Sequence, residues 1–412
     1  MSTASADQRS ARVNWFGETP KRWAVKQVRY VVHLRSGESI TSDDIEENGA
    51  VPVFGGNGFR GFTSRWTHDG DFVLIGRQGA LCGNVNVGHG RFFASEHAIV
   101  ATPIAPAETG WLSAVFEAMD LRQYSVAAAQ PGLSVETISR LLLPTPPLDE
   151  QRQIAEYLDR ETGRIDELIA KQEQLVATLT ERRQVLIAEA VTRGLDSKAR
   201  LIDSGVEWIG EMPAHWSLQQ LKRLSQVKRG ASPRPIDDPK YFDEDGEWAW
   251  VRIADASSSN GRLTETSQTL SALGSSLSVR LEPGSLFVSI AGTVGMPCIT
   301  LIRACIHDGF VYFPGLNFSK DLLFRIFEAG RCYAGLGKLG TQLNLNTDTI
   351  GSIQIPVPPT NEQDAIVEYL HHQTLRIDRL VSKSQLVAET LRERRAALIS
   401  AAVTGKIDVR GL

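Results

Sequence analysis

The sequence predicts a mixed α/β chain in which two globular domains are separated by two long α-helices that pair as an antiparallel coiled coil with pseudo-twofold symmetry. Three observations support this fold class. A sequence block recurs at a fixed spacing, the repeated blocks carry apolar residues with a seven-residue period, and the intervening segments contain short apolar strands followed by glycines. The 412 residues, 42% of them hydrophobic, suffice for more than one core.

The repeat is the strongest feature of the chain. Residues 146–158 read PPLDEQRQIAEYL, and the pattern returns 212 residues later, at 358–370, as PPTNEQDAIVEYL. The match continues without a gap to a closing Ala-Val-Thr in each copy. A shorter box, Val-x-Trp-x-Gly-Glu-x-Pro-x-x-Trp, opens each half at 13–23 and 206–216. The chain therefore contains two copies of one plan, a globular segment followed by a helix.

The repeat also predicts the domain limits. Proline pairs prevent either helix from extending upstream, Asp149 and Asn361 are good N-caps, and Gly194 and Gly405 are good helix ends. We therefore assign a first globular domain, a first long helix, a linker with the second globular domain, a second long helix and a C-terminal tail to residues 1–148, 149–196, 197–360, 361–404 and 405–412.

Each predicted helix carries an apolar stripe with a heptad period, which is typical of helices that pack on one another. One heptad position holds Leu158, Ile165, Gln172, Leu179 and Leu186 in the first helix, and Leu370, Ile377, Ser384, Leu391 and Leu398 in the second. We assign the partner position to Ile154, Leu168 and Leu175, and to Ile366, Leu380 and Val387. The polar pair Gln172 and Ser384 is typical of residues that fix register. The alternative is that each helix packs only on its own globular domain.

Chain connectivity favours the antiparallel arrangement. Only residues 194–207 connect the first helix to the second tryptophan box, and this connector reaches at most about 50 Å. The second domain must therefore begin near the end of the first helix, and it also leads into the start of the second helix. Antiparallel pairing places those two helix ends side by side, with the domains at opposite ends of the rod.

The globular segments are expected to be α/β with a curved sheet. Strands are predicted at 71–75 and 285–290, each followed by glycines, and helices at 112–121 and 321–327. Basic and amide side chains, the groups that contact phosphates and base edges, cluster near the glycine turns. The candidates are Asn57, Arg60, Arg65, Arg77, Gln78, Asn84 and Arg91 in the first domain, and Lys228, Arg229, Arg234, Arg252, Lys338, Gln342 and Asn344 in the second.

Motifs for catalysis are missing from the sequence. Residues 54–58 fit the FxGxG loop of methyltransferases, but no strand-helix context or catalytic tetrapeptide accompanies them, so we predict a glycine hairpin. Asp238-Pro239-Lys240 lacks the partner acid of a nuclease metal site, and the four cysteines and eight histidines show no zinc spacing. The net charge of −4 gives no global attraction to nucleic acid. No apolar run is long enough to span a membrane, and the N-terminus has no apolar signal core, so we predict a cytoplasmic protein.

The chain resembles the specificity subunit of type I restriction-modification systems. The resemblance rests on the paired PPxxEQ helices with their Arg-Ile-Asp and Glu-Arg-Arg elements and on the two tryptophan boxes, and it covers essentially the whole chain. It implies that this chain is non-catalytic and that each globular domain is a target recognition domain for one half of a bipartite site in double-stranded DNA. The helix pair would set the spacer and dock two methyltransferase subunits, alongside restriction subunits. S-adenosylmethionine, ATP and Mg are expected on those partners, with no cofactor or metal in this chain.

Two other functions fit parts of the sequence. A non-catalytic coiled-coil scaffold that binds only proteins would account for the helices but gives the glycine-rich domains no task. A DNA-modifying enzyme acting alone would require catalytic motifs that the sequence lacks. If the chain with its partner retards duplex DNA, the protein-only scaffold is excluded. If the isolated chain transfers methyl groups, the enzyme acting alone is supported.

Overall fold

Two long α-helices, Leu148–Arg193 and Thr360–Val403, each contribute residues to both of the compact units that make up the structure. The computed structural model describes residues 15–79, 81–125, 132–334, 336 and 345–411. Contacts divide the chain into unit 1, with Met1–Gln174 and Ser384–Leu412, and unit 2, with Leu175–Lys383. Each long helix therefore begins in one unit and ends in the other. In the described part of the chain, no helix is both long and apolar enough to cross a membrane.

Unit 1 combines two four-stranded sheets with a strand pair. Its strands are β1 (Ala24–Gln27), β2 (Val32–Ser36), β3 (Val51–Gly55), β4 (Gly58–Thr63), β5 (His68–Asp69), β6 (Phe72–Gly76), β7 (Val85–Gly88), β8 (Arg91–Ala94), β9 (Ala98–Pro103) and β10 (Leu142–Thr145). The sheets have the orders β2-β9-β6-β7 and β4-β3-β8-β5, and β1 pairs with β10. The helices are α1 (Thr109–Ala118), α2 (Val135–Ser139) and α3, the first long helix.

Unit 2 repeats this plan with further strands. They are β11 (Leu201–Asp203), β12 (Glu211–Pro213), β13 (Ser217–Gln220), β14 (Lys228–Arg229), β15 (Trp248–Val251), β16 (Arg262–Leu263), β17 (Thr269–Leu270), β18 (Val279–Leu281), β19 (Leu286–Ser289), β20 (Pro297–Thr300), β21 (Ala304–Ile306), β22 (Phe310–Tyr312) and β23 (Gln354–Val357). The sheet orders are β14-β22-β19-β20-β16 and β17-β15-β21-β18, with the pairs β11-β12 and β13-β23. The helices are α4 (Leu221–Leu224), α5 (Ile253–Ser258), α6 (Ala272–Ser276), α7 (Lys320–Ala329), α8 (Thr347–Ser352) and α9, the second long helix.

The predicted strands and helices of the globular segments are confirmed as β6, β19, α1 and α7, but the prediction of one curved sheet in each segment is wrong. Each contains two larger sheets, and the second sheet leaves the central strand of the first buried on both faces. In β6, Val73 and Ile75 contact the main core of unit 1, whereas Leu74 packs with Phe92 and Val100 in a second cluster. A strand buried on both sides reads as a continuous apolar run, so its sequence does not reveal the second layer.

The start of one long helix and the end of the other enter the same hydrophobic core in each unit. The core of unit 1 contains Ile154 and Leu158 from the first helix together with Ile399, Ala402 and Val403 from the second. The core of unit 2 contains Ile187, Ala190 and Val191 together with Ile366 and Leu370. Within each unit the helices therefore pair antiparallel, as the chain connectivity predicts. The predicted tail is part of unit 1, where Val409 is buried in the core.

The predicted first heptad position lies inward. The predicted partner position is confirmed near the helix starts, where Ile154 and Ile366 are buried, and is wrong further along. Leu158, Ile165, Leu370, Ile377 and Ser384 are buried, and Gln172, Leu179, Leu186, Leu391 and Leu398 are half-buried. By contrast, Leu168, Leu175, Leu380 and Val387 are exposed. The partner position lies one residue further along, at Thr162, Ile169 and Val176 and at Thr374, Val381 and Ala388. Residues three and four places apart both lie on one helix face. Most side chains at the observed partner position are smaller than the predicted leucines, which permits a closer approach of the two helices.

The repeated Glu-Gln pair connects each helix start to its globular segment. Gln151 accepts a hydrogen bond from the backbone N–H of Glu108, just before α1, at 3.0 Å and donates to the carbonyl of Pro146 at 2.9 Å. Gln363 makes the same two bonds, from the N–H of Ser319 and to the first proline of its own Pro-Pro pair. Asp149 and Asn361, predicted as N-caps, instead lie within the first helical turn.

The tryptophan box packs against the C-terminal end of a long helix in each unit. Gly194 has a left-handed φ of +73°, and a Cβ there would lie 2.9 Å from the Trp216 ring. The indole N–H of Trp216 donates to Glu362 at 2.9 Å, which joins the end of the first helix to the start of the second. In unit 1, Gly405 at φ +75° lies against Pro20 and Trp23 in the same way. The two predicted glycine helix ends are thus confirmed.

An ion triad connects three elements in each unit. In unit 2, Arg183 pairs with Glu328 of α7 at 2.8 Å and with Asp378 of the second helix at 2.9 Å. Burial alone would lower the pKa of Arg183, but the two carboxylates outweigh it and raise the pKa. In unit 1 the repeat equivalent of Arg183 is Arg395. It pairs with Glu117 of α1 and with Asp166 of the first long helix, the latter at 2.9 Å. The Arg-Ile-Asp and Glu-Arg-Arg elements of the repeat are therefore partners.

Replacing Arg183 by Gln should lower the free energy of unfolding by about 1–2 kcal/mol, because Glu328 is largely buried and loses a charged partner. Arg395→Gln should cost less than about 1 kcal/mol, since its partners are about half exposed. Denaturant unfolding of the purified chain measures both. Arg182→Gln, at an exposed neighbouring position, is the matched control. Equal losses in all three variants would contradict a structural role for the triads.

Candidate nucleic-acid interface

In unit 1, three loops that follow strands meet at one edge of the sheets. Strands β3 and β8 run parallel, and β6 ends where β9 begins, with Gly76 opposite Ala98. A Cβ on Gly56, after β3, would lie 2.9 Å from the carbonyl oxygen of Gln78 and 3.2 Å from that of His97. The loops therefore pack backbone against backbone. We call residues 55–58, 76–79 and 95–97, together with the segment 37–40 that bonds to Ala94 and Ala98, the loop edge of unit 1.

Most candidate residues of the first domain gather at this loop edge. Asn57 and Gln78 are exposed on it, and Asn84 lies next to it because its carbonyl accepts from the N–H of Gly76. Arg77 is half-buried and donates to the Ser36 hydroxyl at 3.2 Å. Arg60, on β4, packs its side chain over Gly55. The edge thus presents amide groups to solvent, supported by arginines.

Arg65 and Arg91 lie at the opposite end of the same sheet. Arg65 follows β4 beyond the pair Val51 and Thr63 and approaches Asp44 at 3.8 Å. Arg91 begins β8, donates to Asp69 at 3.0 Å and stacks over the exposed Trp66 ring. The structure therefore separates these two arginines from the loop edge.

The fold adds polar residues that the sequence search missed. A Cβ on Gly58 would lie 2.9 Å from the Asn86 side-chain oxygen, and one on Gly83 would lie 2.6 Å from the backbone of Arg122. Asn86 lies within the regular strand β7, and Arg122 follows α1 at a distance along the chain. Arg122 has no glycine turn near it in sequence, whereas Asn86 lies two residues before Gly88 and could have been found by the search near such turns.

Unit 2 builds a similar edge on the same backbone bonds. Gly37 and Glu38, after β2, donate to the carbonyls of Ala98 and Ala94, and Gly230 and Ala231, after β14, donate to those of Phe310 and Ile306. Strands β15 and β21 are parallel, as β3 and β8 are. We call residues 229–237, 252–253 and 307–309 the loop edge of unit 2. The two edges share a scaffold but differ in side chains.

Three candidate arginines of the second domain meet at this second edge. Arg229 and Arg234 surround the carboxylate of Asp308, and Arg252 lies across a cleft of about 600 Å³. The cleft is lined by Pro233, Arg234, Ile236, Trp250, Arg252 and His307. Lys228 is exposed on the edge strand β14, and Lys338, Gln342 and Asn344 lie outside the described residues. The sequence search missed Asp308, although a His-Asp-Gly turn after a buried strand could have indicated it.

Two residues at this edge have shifted pKa values. Burial lowers the pKa of His307, which favours the neutral ring. Burial alone would raise the pKa of Asp308, but the Ser232 hydrogen bond and the Arg229 charge outweigh it and lower the pKa. Arg252 donates to the carboxylate of Asp255, which caps α5. The edge therefore presents exposed guanidinium groups around the Asp308 carboxylate, and Asp237 adds a second, exposed carboxylate at the cleft.

The structure bears on the sequence motifs for catalysis as well. Residues 54–58 form the hairpin between β3 and β4, as predicted. Asp238 pairs with Lys240 at 2.6 Å across a short 3-10 helix. Among the residues that the structure covers, no three His, Cys, Asp or Glu side chains are grouped to hold a metal ion. The four cysteines are free and buried, and burial raises the pKa of Cys305 to about 11.

Known proteins share both sequence and fold with this chain. The type I restriction enzyme EcoprrI specificity subunit of Escherichia coli is 41% identical over 139 residues, which are 33% of this chain and 35% of that protein's length. The type I restriction enzyme MjaVIII specificity subunit of Methanocaldococcus jannaschii is 23% identical over 310 residues, 71% of this chain and 68% of that protein. This chain thus aligns with about a third of the first relative and two thirds of the second.

A solved structure from work on complex assembly and conformational transition of the type I R-M system has the same fold, with a TM-score of 0.71 at 15% identity over 95% of this chain and 100% of that one. The family model described as "Type I restriction modification DNA specificity domain" matches this chain twice, at residues 20–177 and 213–384. Because these two stretches span most of the sequence, the chain belongs to the type I restriction-modification DNA specificity family.

Proposed function

We propose that this chain is the specificity subunit of a type I restriction-modification complex and that each unit reads one half of a bipartite, asymmetric target in double-stranded DNA. One observation carries the proposal: the two loop edges share a backbone scaffold but present different side chains. A common scaffold supports a common way of docking on DNA, and different side chains support different sequences. The globular segments 1–148 and 197–360 act as the two target recognition domains.

The side chains at each edge suggest the bases that they read. Asn and Gln amides pair with adenine in the major groove, whereas arginine forms two hydrogen bonds with guanine. The loop edge of unit 1 exposes Asn57 and Gln78, and that of unit 2 exposes Arg229, Arg234 and Arg252. We therefore assign adenine contacts to the first half-site and guanine contacts to the second. The remaining basic groups bind phosphates, which supplies salt-dependent affinity.

The helix pair would set the gap between the half-sites. Each long helix begins in one core and ends in the other, so the number of helical residues is a natural measure of spacer length. The exposed apolar side chains of Leu168, Leu175, Leu380 and Val387 offer a surface for partner subunits along the helices. We assign this surface to two methyltransferase subunits.

Catalysis belongs to the partners in this proposal. Methyltransferase subunits would bind S-adenosylmethionine, and restriction subunits would bind ATP and Mg, while this chain carries no cofactor. Its role is to select the DNA sequence on which they act. The complex would work in the cytoplasm, where its DNA substrate lies.

Deletion of the gene should remove adenine methylation from one gapped motif in the host genome and leave all other methylated motifs unchanged. The reason is that the methyltransferase depends on this chain for its target. Genome-wide methylation mapping before and after deletion measures the effect, and reintroduction of the gene is the control. An unchanged methylome in a strain that expresses the partner subunits would contradict the proposed function.

Gln78→Ala or Asn57→Ala should relax base preference in the first half-site only, by about 5–150-fold at one position, because a lost bidentate contact is worth about 1–3 kcal/mol. Arg77→Ala should weaken the first half in the same selective way. Binding of the assembled complex to a panel of variant duplexes measures the preference. Arg65→Ala and Arg91→Ala, at the far end of the sheet, are matched controls that should keep it. Relaxation of both half-sites by Gln78→Ala would contradict independent readers.

Insertion of one heptad into each long helix, after Gln174 and after Leu386, should lengthen the preferred spacer by about three base pairs. These positions are equivalent in the repeat, and seven residues add about 10 Å of helix against about 3.4 Å per base pair. The methylated motif of a strain carrying the double insertion measures the gap. Insertion in the first helix alone breaks the register and should abolish methylation. An unchanged gap in the double insertion would contradict the spacer role.

A further inference from the structure

A carboxylate lies beside two arginines at the loop edge of unit 2, where a DNA-reading surface is expected to be mainly basic. Asp308 follows β21, and its side chain is 39% exposed. A free carboxylate at this place would repel phosphates and weaken DNA binding. Its contacts show that it is not free, and they suggest a positive role.

Both oxygens of Asp308 bind the segment that follows β14. The hydroxyl of Ser232 donates to one oxygen at 3.0 Å, and the guanidinium of Arg234 donates to the other at 3.3 Å. Arg229 lies 4.0 Å from that second oxygen and donates through Nε to the backbone carbonyl of Asp308. The acid therefore fixes the backbone of the segment through Ser232 and the direction of one arginine.

Arg234 remains available for DNA in this arrangement. Its side chain is 81% exposed, although Asp308 holds one end of the guanidinium. An arginine has five N–H donors in a rigid plane, and this bond uses one of them. An exposed arginine normally loses rotamer freedom when it binds a base, and a side chain already held by a carboxylate loses less.

Unit 1 carries an acid at the equivalent place, with a different task. Glu96 occupies the position after β8 that Asp308 occupies after β21, as the shared backbone bonds of the two edges show. Glu96 accepts from the backbone N–H of Ile40 at 3.3 Å, in the segment after β2. No arginine bonds to Glu96 among the described residues. In both units the acid thus holds the segment that follows β2 or β14 in place. Only in unit 2 does it also orient an arginine.

We propose that Asp308 is a positioning residue that holds Arg234 in the orientation for a bidentate contact with one guanine of the second half-site. The inference rests on the proposed function and deepens it, because it names the reader, the residue that orients it and the base. Glu96 holds the matching segment of unit 1 in place, and there the amides of Asn57 and Gln78 make the base contacts. Asymmetry between the half-sites therefore begins with a single side-chain interaction on a common scaffold.

The test uses the full chain assembled with its methyltransferase subunits and a duplex library in which every base pair of both half-sites is varied. Arg234→Ala, Arg234→Lys, Asp308→Asn and the double variant Arg234→Ala/Asp308→Asn are compared with the wild type. Asp308→Asn keeps the shape of the side chain, and thermal unfolding of each variant shows that it is folded. Glu96→Gln is the matched control in unit 1.

We expect Asp308→Asn to reduce discrimination about tenfold at one G·C pair of the second half-site and to leave the first half-site unchanged. Arg234→Ala and Arg234→Lys should relax the same pair, and the double variant should match Arg234→Ala because the acid acts through the arginine. Glu96→Gln should leave the second half-site unchanged.

Two results would overturn the inference and separate it from the proposed function. If the wild-type complex is specific but Asp308→Asn keeps full discrimination, or if the losses in the double variant add, Asp308 does not position Arg234. If Asp308→Asn weakens both half-sites equally, its role is structural only, which also overturns the inference. If the wild-type complex shows no preference among duplexes, the proposed function itself fails.

Discussion

The structure depends on a shared core in each unit, in which the first turns of one long helix and the last turns of the other are buried together. Ile154 and Val403 belong to one such core, and Ile366 and Val191 to the other. Neither helix can slide along its partner without removing apolar side chains from a core at one end. The register of the helix pair is thus set at its ends by packing as well as along its length by the heptad pattern.

The repeated sequence motifs supply the polar contacts between each long helix and its globular segment. Gln151 and Gln363 satisfy backbone groups at the start of a domain helix and at the proline before the long helix. Such buried amides are costly to replace because each bonds two backbone groups, and the bond to the proline carbonyl is buried. The repeat therefore preserves the parts of the chain that connect domain and helix, whereas the loops that face outward differ between the units.

Sequence reasoning predicted the elements that have a local signature. The heptad stripe, the glycine helix ends and the strands at β6 and β19 each follow from a periodicity or a turn residue. The second heptad position was wrong beyond the helix starts because residues three and four places apart lie on one face, and the choice between Leu168 and Ile169 depends on the partner helix. Likewise Asp308 reaches its loop edge through the pairing of β21 with β15, and Arg122 through the packing of its 3-10 helix against Gly83.

The two loop edges show how one scaffold supports two specificities. Because Glu38 and Ala231 make the same backbone bond, the loops can change side chains without a change in the fold beneath them. The acid after the parallel strand illustrates the range of that change. Glu96 binds a backbone N–H, while Asp308 binds a hydroxyl and an arginine. A serine lies two residues after the glycine in both units, so the difference comes from the shorter carboxylate and from Arg234, where unit 1 has Thr41.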